Sequence, residues 1–359
     1  MTQTIIAATV TWDGGGATNL WSYNDGGGGG GKFTNWGPNG KLPKTGDEFE
    51  FGGTSRLTST NDLTGISTAS VKFLSGAGAF VLGGNALTLT GGSVTNNSTS
   101  LQTINMALGL NATITFATTT GDMTVGGQVS GTGGINKTGV NSLLLTGANI
   151  FSGTTTITAG SLLANNSSGS ATGTGAVSVS GIFGGTGTIA PTGSNGITVN
   201  SGGVIAPGSG NTPGTLTFNF TSTSGGLTMN SGAGFQFHLG SLGMGDMLSI
   251  VGASAGDVAF NNNMINFMGT GELGSYKIFD TSSNNANTWT GLTVNGSGQI
   301  TSGLNYTNLN SGYTAIFYMG GGSYGGTSGD IYVQVIPEPR AALLGGLGVL
   351  MLLLRRRRS

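Results

Sequence analysis

GGINKTGVNSLLLTGANIFSGTTTITAGSLLANN, from Gly133 to Asn166, decides the fold: its leucines Leu143 and Leu145 stand two apart, bounded by Gly, Asn and Ser. The same pairing continues on both sides, from about Val71 to Leu239. Val71/Phe73, Phe80/Leu82, Leu87/Leu89, Ile114/Phe116 and Met123/Val125 lie before it or within its approach; Val177/Val179, Ile197/Val199, Phe218/Phe220 and Phe235/Phe237 follow. A spacing of two puts both side chains on one face of a strand. The pairs recur at roughly 7–10 residues with turn residues between them, a pattern of many short strands in a sandwich, a barrel or a stacked solenoid. The number of pairs, and the lack of any stretch long enough for crossover helices, favours the solenoid. Three short strands per coil predict coils of roughly 20–30 residues, each stacked about 4.8 Å above the last.

Within the opening stretch, Lys137-Thr138-Gly139, Leu143 to Asn149, Phe151 to Thr154 and Thr156 to Leu162 follow in a fixed order. This order resembles the autotransporter-associated β-strand repeat, with its K-T-G start, L-x-L-x-G-x-N strand and turn, Y/F-S/T-G-T step and T-x-x-x-G-x-L close. The similarity extends through Gly184 to Leu216. It implies an all-β fold, a right-handed parallel β-helix of the kind that forms passenger stalks, over residues 54–319, with the clearest repeat at 133–166. Residues 1–53 differ. They hold Trp12, Trp21 and Trp36, the six glycines Gly26 to Gly31, and a closing GDEFEFGG. They resemble the leader that opens such repeat proteins and predict an aromatic, Gly-rich N-terminal cap covering the first apolar layer. Residues 320–336 read as a Gly-rich stalk.

Composition narrows the function. Glycine fills 72 of 359 positions and charged residues are 7%, against roughly 7% and 25% in average proteins. Long helices are costly at that glycine density. No G-x-y period points to collagen. There is no cysteine, which excludes disulfides, thiol catalysis and zinc-thiolate sites. Residues 1–336 carry 7 basic against 12 acidic groups, so the body has no electrostatic footprint for nucleic acid.

The tail, PEPRAALLGGLGVLMLLLRRRRS from Pro337 to Ser359, is set apart. Pro337-Glu338-Pro339 precedes an uncharged run, Ala341 to Leu354, and four arginines, Arg355, Arg356, Arg357 and Arg358. The order of parts resembles the PEP-CTERM sorting signal, although Arg340 and Ala341 stand where a small hydroxyl residue is often seen. The resemblance implies that an exosortase recognises the Pro-Glu-Pro box while a short transmembrane helix over 341–354 tethers the chain. Arg355 to Arg358 would hold their end in the cytoplasm. Such a protein is exported, membrane-tethered, and then delivered to the cell surface or extracellular space. Met1 to Thr11 has no Lys or Arg and only a short apolar patch, so the expectation is that the N-terminal export signal is missing from this sequence.

Other candidate chemistry is thin. Gly26 to Lys32 fits G-x-x-x-x-G-K, but Phe33 replaces the Ser or Thr that a phosphate loop needs for magnesium, and no helix follows. His238, the one histidine, alternates out of phase with Phe235, Phe237 and Leu239, and reads as an outward strand residue. Asp47, Glu48 and Glu50 form the sole acidic cluster and read as a solvated strand face. The expectation is therefore a non-enzymatic surface or extracellular-matrix structural protein without cofactors. Its partners would be an exosortase-type enzyme, the membrane and an extracellular polysaccharide, but not nucleic acid. The alternatives are a carbohydrate-active β-helix enzyme, which needs three or more ionisable side chains converging in a cleft, and a glycan-binding adhesin.

Overall fold

The computed structural model describes residues 8–24, 34–37, 41–208, 210, 212–220, 225–252, 257–269, 271–281, 289–309, 311–321 and 326–338. All regular elements among them are β-strands; two sheets of 15 and 11 strands run along the molecule, and a third of six strands begins at Thr188–Ile189. In the two longer sheets the strands pair in parallel, apart from the short Trp36–Gly37 strand that pairs antiparallel with Thr9–Trp12. The coils therefore stack as the alternation predicts. Neighbouring coils are joined by hydrogen bonds between residues 20 to 24 apart, as from Gln128 to Ala148 and from Gln102 to Gly78. After about Val199 the coils lengthen, and equivalent bonds link residues 30 to 33 apart, as from Asn263 to Ala233 and Asn230.

Each strand sends alternate side chains into one continuous core. Phe49, Val71, Val94 and Phe116 follow one another in register and are buried, and the same inward row continues through Lys137 to Ile157. Each such side chain contributes about 1.5–3 kcal/mol, in small parcels coil by coil. The corners are locked by buried amides. Asn96 donates to the carbonyls of Ser100 and Asp122 at 3.0 and 2.9 Å. Asn149 accepts from the Val129 N–H and donates to the Ala171 carbonyl.

The K-T-G glycine has a defined job. Gly139 adopts φ +80°, and a Cβ there would stand 2.4 Å from the Thr118 carbonyl oxygen of the preceding coil. Only glycine meets both demands.

At the N-terminal end, Trp12, Trp21 and Trp36 are buried. Trp36 packs edge-on against both others at centroid distances of 5.3 Å, above Phe49 and Phe51. The Trp21 indole N–H donates to Ser59 Oγ at 2.6 Å and that of Trp36 to the Trp21 carbonyl. The strands Thr9–Trp12 and Glu48–Phe51 belong to the longest sheet, so this aromatic layer is continuous with that sheet. Gly26 to Lys32 lie outside the described residues.

The C-terminal end departs from the expected plan. Tyr313–Met319 and Ile331–Pro337 are antiparallel partners, and the second also runs antiparallel to Gly274–Thr281. Part of the stretch read as a stalk is thus a strand, with Ile331, Val333 and Val335 buried. These three alternate apolar side chains need a sheet to cover them, which a free stalk cannot give. Gly320, Gly321 and Gly326 belong to the hairpin connection, and Gly320 and Gly326 lie against the Tyr332 ring. No helix among the described residues is long and apolar enough to cross a membrane; the segment 341–354 lies outside them.

Candidate functional site

Pro337 and Glu338 are the last described residues. Both are exposed. Pro337 is paired with Tyr313, and the Glu338 N–H donates to the Gly312 carbonyl at 2.8 Å. The start of the Pro-Glu-Pro box therefore lies against the edge of a sheet. Pro339 and Arg355 to Arg358 lie outside the described residues.

The strand that carries the box is fastened by charged groups. Lys277 Nζ sits 2.5 Å from Asp280 Oδ1 and 3.5 Å from Asp330 Oδ2. Asp330 is fully buried and accepts from the Thr281 N–H at 2.9 Å, while Ser249 Oγ donates to Asp280. Burial pulls the Lys277 proton affinity down. The hydrogen bond to Asp280 and the charges of Asp330 and Asp280 outweigh this, and the net shift is upward. Both carboxylates are engaged by the one ammonium, and Asp330 also by backbone. The arrangement is suited to holding two strands together and offers no free base. Tyr332 adds a bond to Asp330 and stacks on Tyr318 at 5.3 Å with 9° between the rings.

The other candidates stay apart. Asp47 turns inward and accepts from the Ala8 and Lys44 N–H groups. Glu48 is exposed, and Glu50 pairs with Lys72 at 3.2 Å on the outer face. His238 points outward as its alternation predicts, with Nδ1 enclosed and unbonded. Its neighbour Asp246 accepts from the backbone N–H groups of His238 and Gly214, not from the imidazole. Burial raises the Asp246 proton affinity. Among the described residues no three His, Cys, Asp or Glu side chains could share a metal ion.

Lys137 was legible only as the first letter of a repeat. Its strand turns it into the core, fully buried between Phe116 and Ile157 in register. Nζ donates to the carbonyls of Thr138, Gly139 and Ala159 at 2.9 to 3.0 Å. Burial lowers its pKa to about 8, although the charge of Asp122 works the other way.

On the outer surface of the 11-stranded sheet, Val204, Gly234 and Met264 follow one another across three coils. They form the floor of a shallow groove rimmed by the amides of Gln236, Asn262 and Asn266. A second depression begins at Met264 and reaches Gln299, Asn305 and Phe317. Neither is lined by a charged residue.

No protein-family model matches the chain. Part of it is similar to the adhesin BmaC autotransporter of Brucella suis biovar 1 (strain 1330), 38% identical over 94 residues. The match takes in 24% of this chain and 3% of that much longer protein.

Proposed function

We propose that this is a non-enzymatic, exported structural protein of the cell surface or extracellular matrix, built on a right-handed parallel β-helix. Its Pro337-Glu338-Pro339 box is read by an exosortase-type enzyme. The segment 341–354 tethers it as a membrane helix, with Arg355 to Arg358 on the cytoplasmic side. The observation that carries this reading is the placing of Pro337 and Glu338, exposed at the end of the last strand. The body upstream is closed around its own core. Parallel crossovers are almost always right-handed, and the similarity to part of an autotransporter adhesin supports a surface setting. The test is to express the gene product with an export signal, with and without a matching exosortase. A loss of mass at the C-terminus and release from the membrane only when the enzyme is present are expected. A protein that stays unprocessed and cytoplasmic refutes the reading.

A glycan-binding adhesin is the second reading, favoured by the uncharged, amide-rimmed groove at Met264. Retention on a neutral-polysaccharide array, lost in Met264→Lys, would support it. The carbohydrate-active enzyme is the weaker alternative. Three ionisable side chains do meet at Lys277, but Asp330 is fully buried and both carboxylates are tied to the ammonium.

A further inference from the structure

The outward positions of the longest sheet form a lattice. Ser93 pairs with Thr115, Thr115 with Asn136, and Asn136 with Thr156. Thr156 then pairs with Ser178, Ser178 with Thr198, and Thr198 with Thr228. Seven successive strands thus place a hydroxyl or amide at one outward position, and no register shift interrupts them. All seven side chains are half-buried or exposed. No charged or aromatic residue stands in the column.

A second column runs beside it. Thr95, Ala117 and Thr138 pair in turn, and Lys72, bound to Glu50, pairs with Thr95 at the N-terminal end of this column. Further along, Asn200 donates to Ser180 Oγ at 3.1 Å, and Asn230 donates to Asn200 at 3.4 Å. The rows are tied to each other: Ser93 and Thr95 hydroxyls lie 3.1 Å apart, and Thr158 donates to Asn136 at 2.8 Å.

The spacing is fixed by the backbone. Neighbouring strands lie about 4.7–4.9 Å apart, and residues i and i+2 about 6.6–6.8 Å apart. A parallel stack in constant register repeats these two distances coil after coil. Such a surface offers water a two-dimensional periodic array of partners, since each hydroxyl can both donate and accept. Four of the seven, Thr115, Thr156, Thr198 and Thr228, are β-branched threonines, which restrict their own rotation. The repeats are close to those of oxygen atoms on a face of hexagonal ice.

We propose that this hydroxyl face, centred on Thr156 and Thr198, binds ice. Three features separate an ice face from a glycan site. The column has no aromatic ring to stack on a sugar, no groove to enclose a chain, and no charge to disorder the water above it. The outer face of the 11-stranded sheet differs, since Leu144, Leu163, Gly184 and Ala206 occupy its corresponding row. The proposal is independent of sorting at the C-terminus, and either reading can fail alone.

The full chain, in mild detergent with a detergent-only blank, is frozen slowly onto a cold finger, and protein in the ice is compared with protein in the remaining liquid. Wild type should concentrate in the ice. Thr156→Lys and Thr198→Lys, each checked by circular dichroism, should fall to the level of an unrelated protein. Thr124→Lys, an outward lysine on the other sheet, should behave like wild type. Should a lysine unfold its strand, the double variant T156A/T198A is read instead and should lose most of the partitioning. Exclusion of the wild type from ice overturns the proposal, as does undiminished uptake by the folded array variants. Exclusion from ice with retention on crystalline cellulose through the same threonines would also overturn it, in favour of a glycan surface.

Discussion

Lys137 donates from Nζ to the carbonyl oxygen of Ala159, 22 residues further along and one coil away, at 3.0 Å inside the core. An ammonium in that position is solvated by three carbonyls instead of by a carboxylate. The charged form is disfavoured by burial, and the carbonyls compensate in part.

This makes stability depend on alkaline pH. The folded pKa is lowered from 10.5 to about 8. Between those values the unfolded chain binds the proton that the folded chain has lost, so stability rises with pH. Below about pH 8 both states are charged and the contribution is flat. Across the whole interval the gain is on the order of 3 kcal/mol. Tyr276, whose proton affinity is raised by burial, works in the opposite sense above about pH 10. The urea midpoint should therefore climb from pH 8 to pH 10 in the wild type and stay level in Lys137→Met.

Glycine positions with the same φ should differ in cost according to the space beside them. Gly139 and Gly76 both have φ +80°, but a Cβ at Gly76 meets nothing within 4 Å. Gly76→Ala should cost about 1–2 kcal/mol from conformation alone. Gly139→Ala adds a collision with the Thr118 carbonyl and should cost at least about twice as much, because backbone of the neighbouring coil must move. Denaturant titration of the two single variants compares them directly.

Removing Trp36 should open the N-terminal end first. It touches Trp12, Trp21, Phe49 and Phe51, and Trp→Ala in a core costs about 3–5 kcal/mol. Because each coil rests mainly on its neighbours, Trp36→Ala should speed amide exchange in the coils up to about Phe80 and leave those around Phe235 protected. Uniform loss of protection along the chain would contradict coil-by-coil stability.

Much of this plan is legible in the amino-acid order. The paired apolar residues give the strands, and the turn residues give the corners. The buried aromatic layer at the N-terminal end follows from three tryptophans in one short region. Lys137 is not legible as a core residue, because lysine at an inward position reads as polar until its three carbonyl partners are seen. The final strand hides behind glycines. Ile331, Val333 and Val335 alternate correctly, but they fall within 320–336, the stretch that reads as a Gly-rich stalk. Thr281 and Asp330 are 49 residues apart, so only folding brings the Lys277 cluster together. The hydroxyl column is equally hidden, since its repeat drifts from coil to coil and emerges only from the register.

Lys277→Met should loosen the terminal hairpin. Asp330 would lose its cation while remaining buried, which is costly. Lys277 is 34% exposed, so the effect is discounted to about 1–3 kcal/mol. Limited proteolysis should then cut between Met319 and Ile331 faster than in wild type, with cleavage elsewhere unchanged. The double variant K277M/D330N, which removes both charges, should recover part of the resistance. If K277M is no more susceptible than wild type, the ion pairs do not hold the hairpin.

The sorting reading makes a prediction that depends on where the box starts. Pro337 is paired with Tyr313, and the Glu338 N–H is bonded to Gly312, so two of its three residues are held on the body. An enzyme that takes the box as an extended segment must first lift it off this edge, breaking one or two hydrogen bonds at about 0.5–1.5 kcal/mol each. A six-residue Gly/Ser spacer inserted between Ile336 and Pro337 leaves the distance from box to membrane segment unchanged and increases only the distance from the body. Processing of the spacer variant should therefore be several-fold faster than wild type in a host carrying the matching exosortase. Replacing Pro337, Glu338 and Pro339 with Ala should block processing and preserve membrane attachment. Replacing Arg355 to Arg358 with Ser should weaken retention while the β-stranded body stays folded. Time courses of C-terminal cleavage for the four proteins distinguish these effects. Equal rates for wild type and the spacer variant would mean that release from the sheet edge does not limit cleavage. Equal rates for all four would mean that the box and the arginines are not a sorting signal.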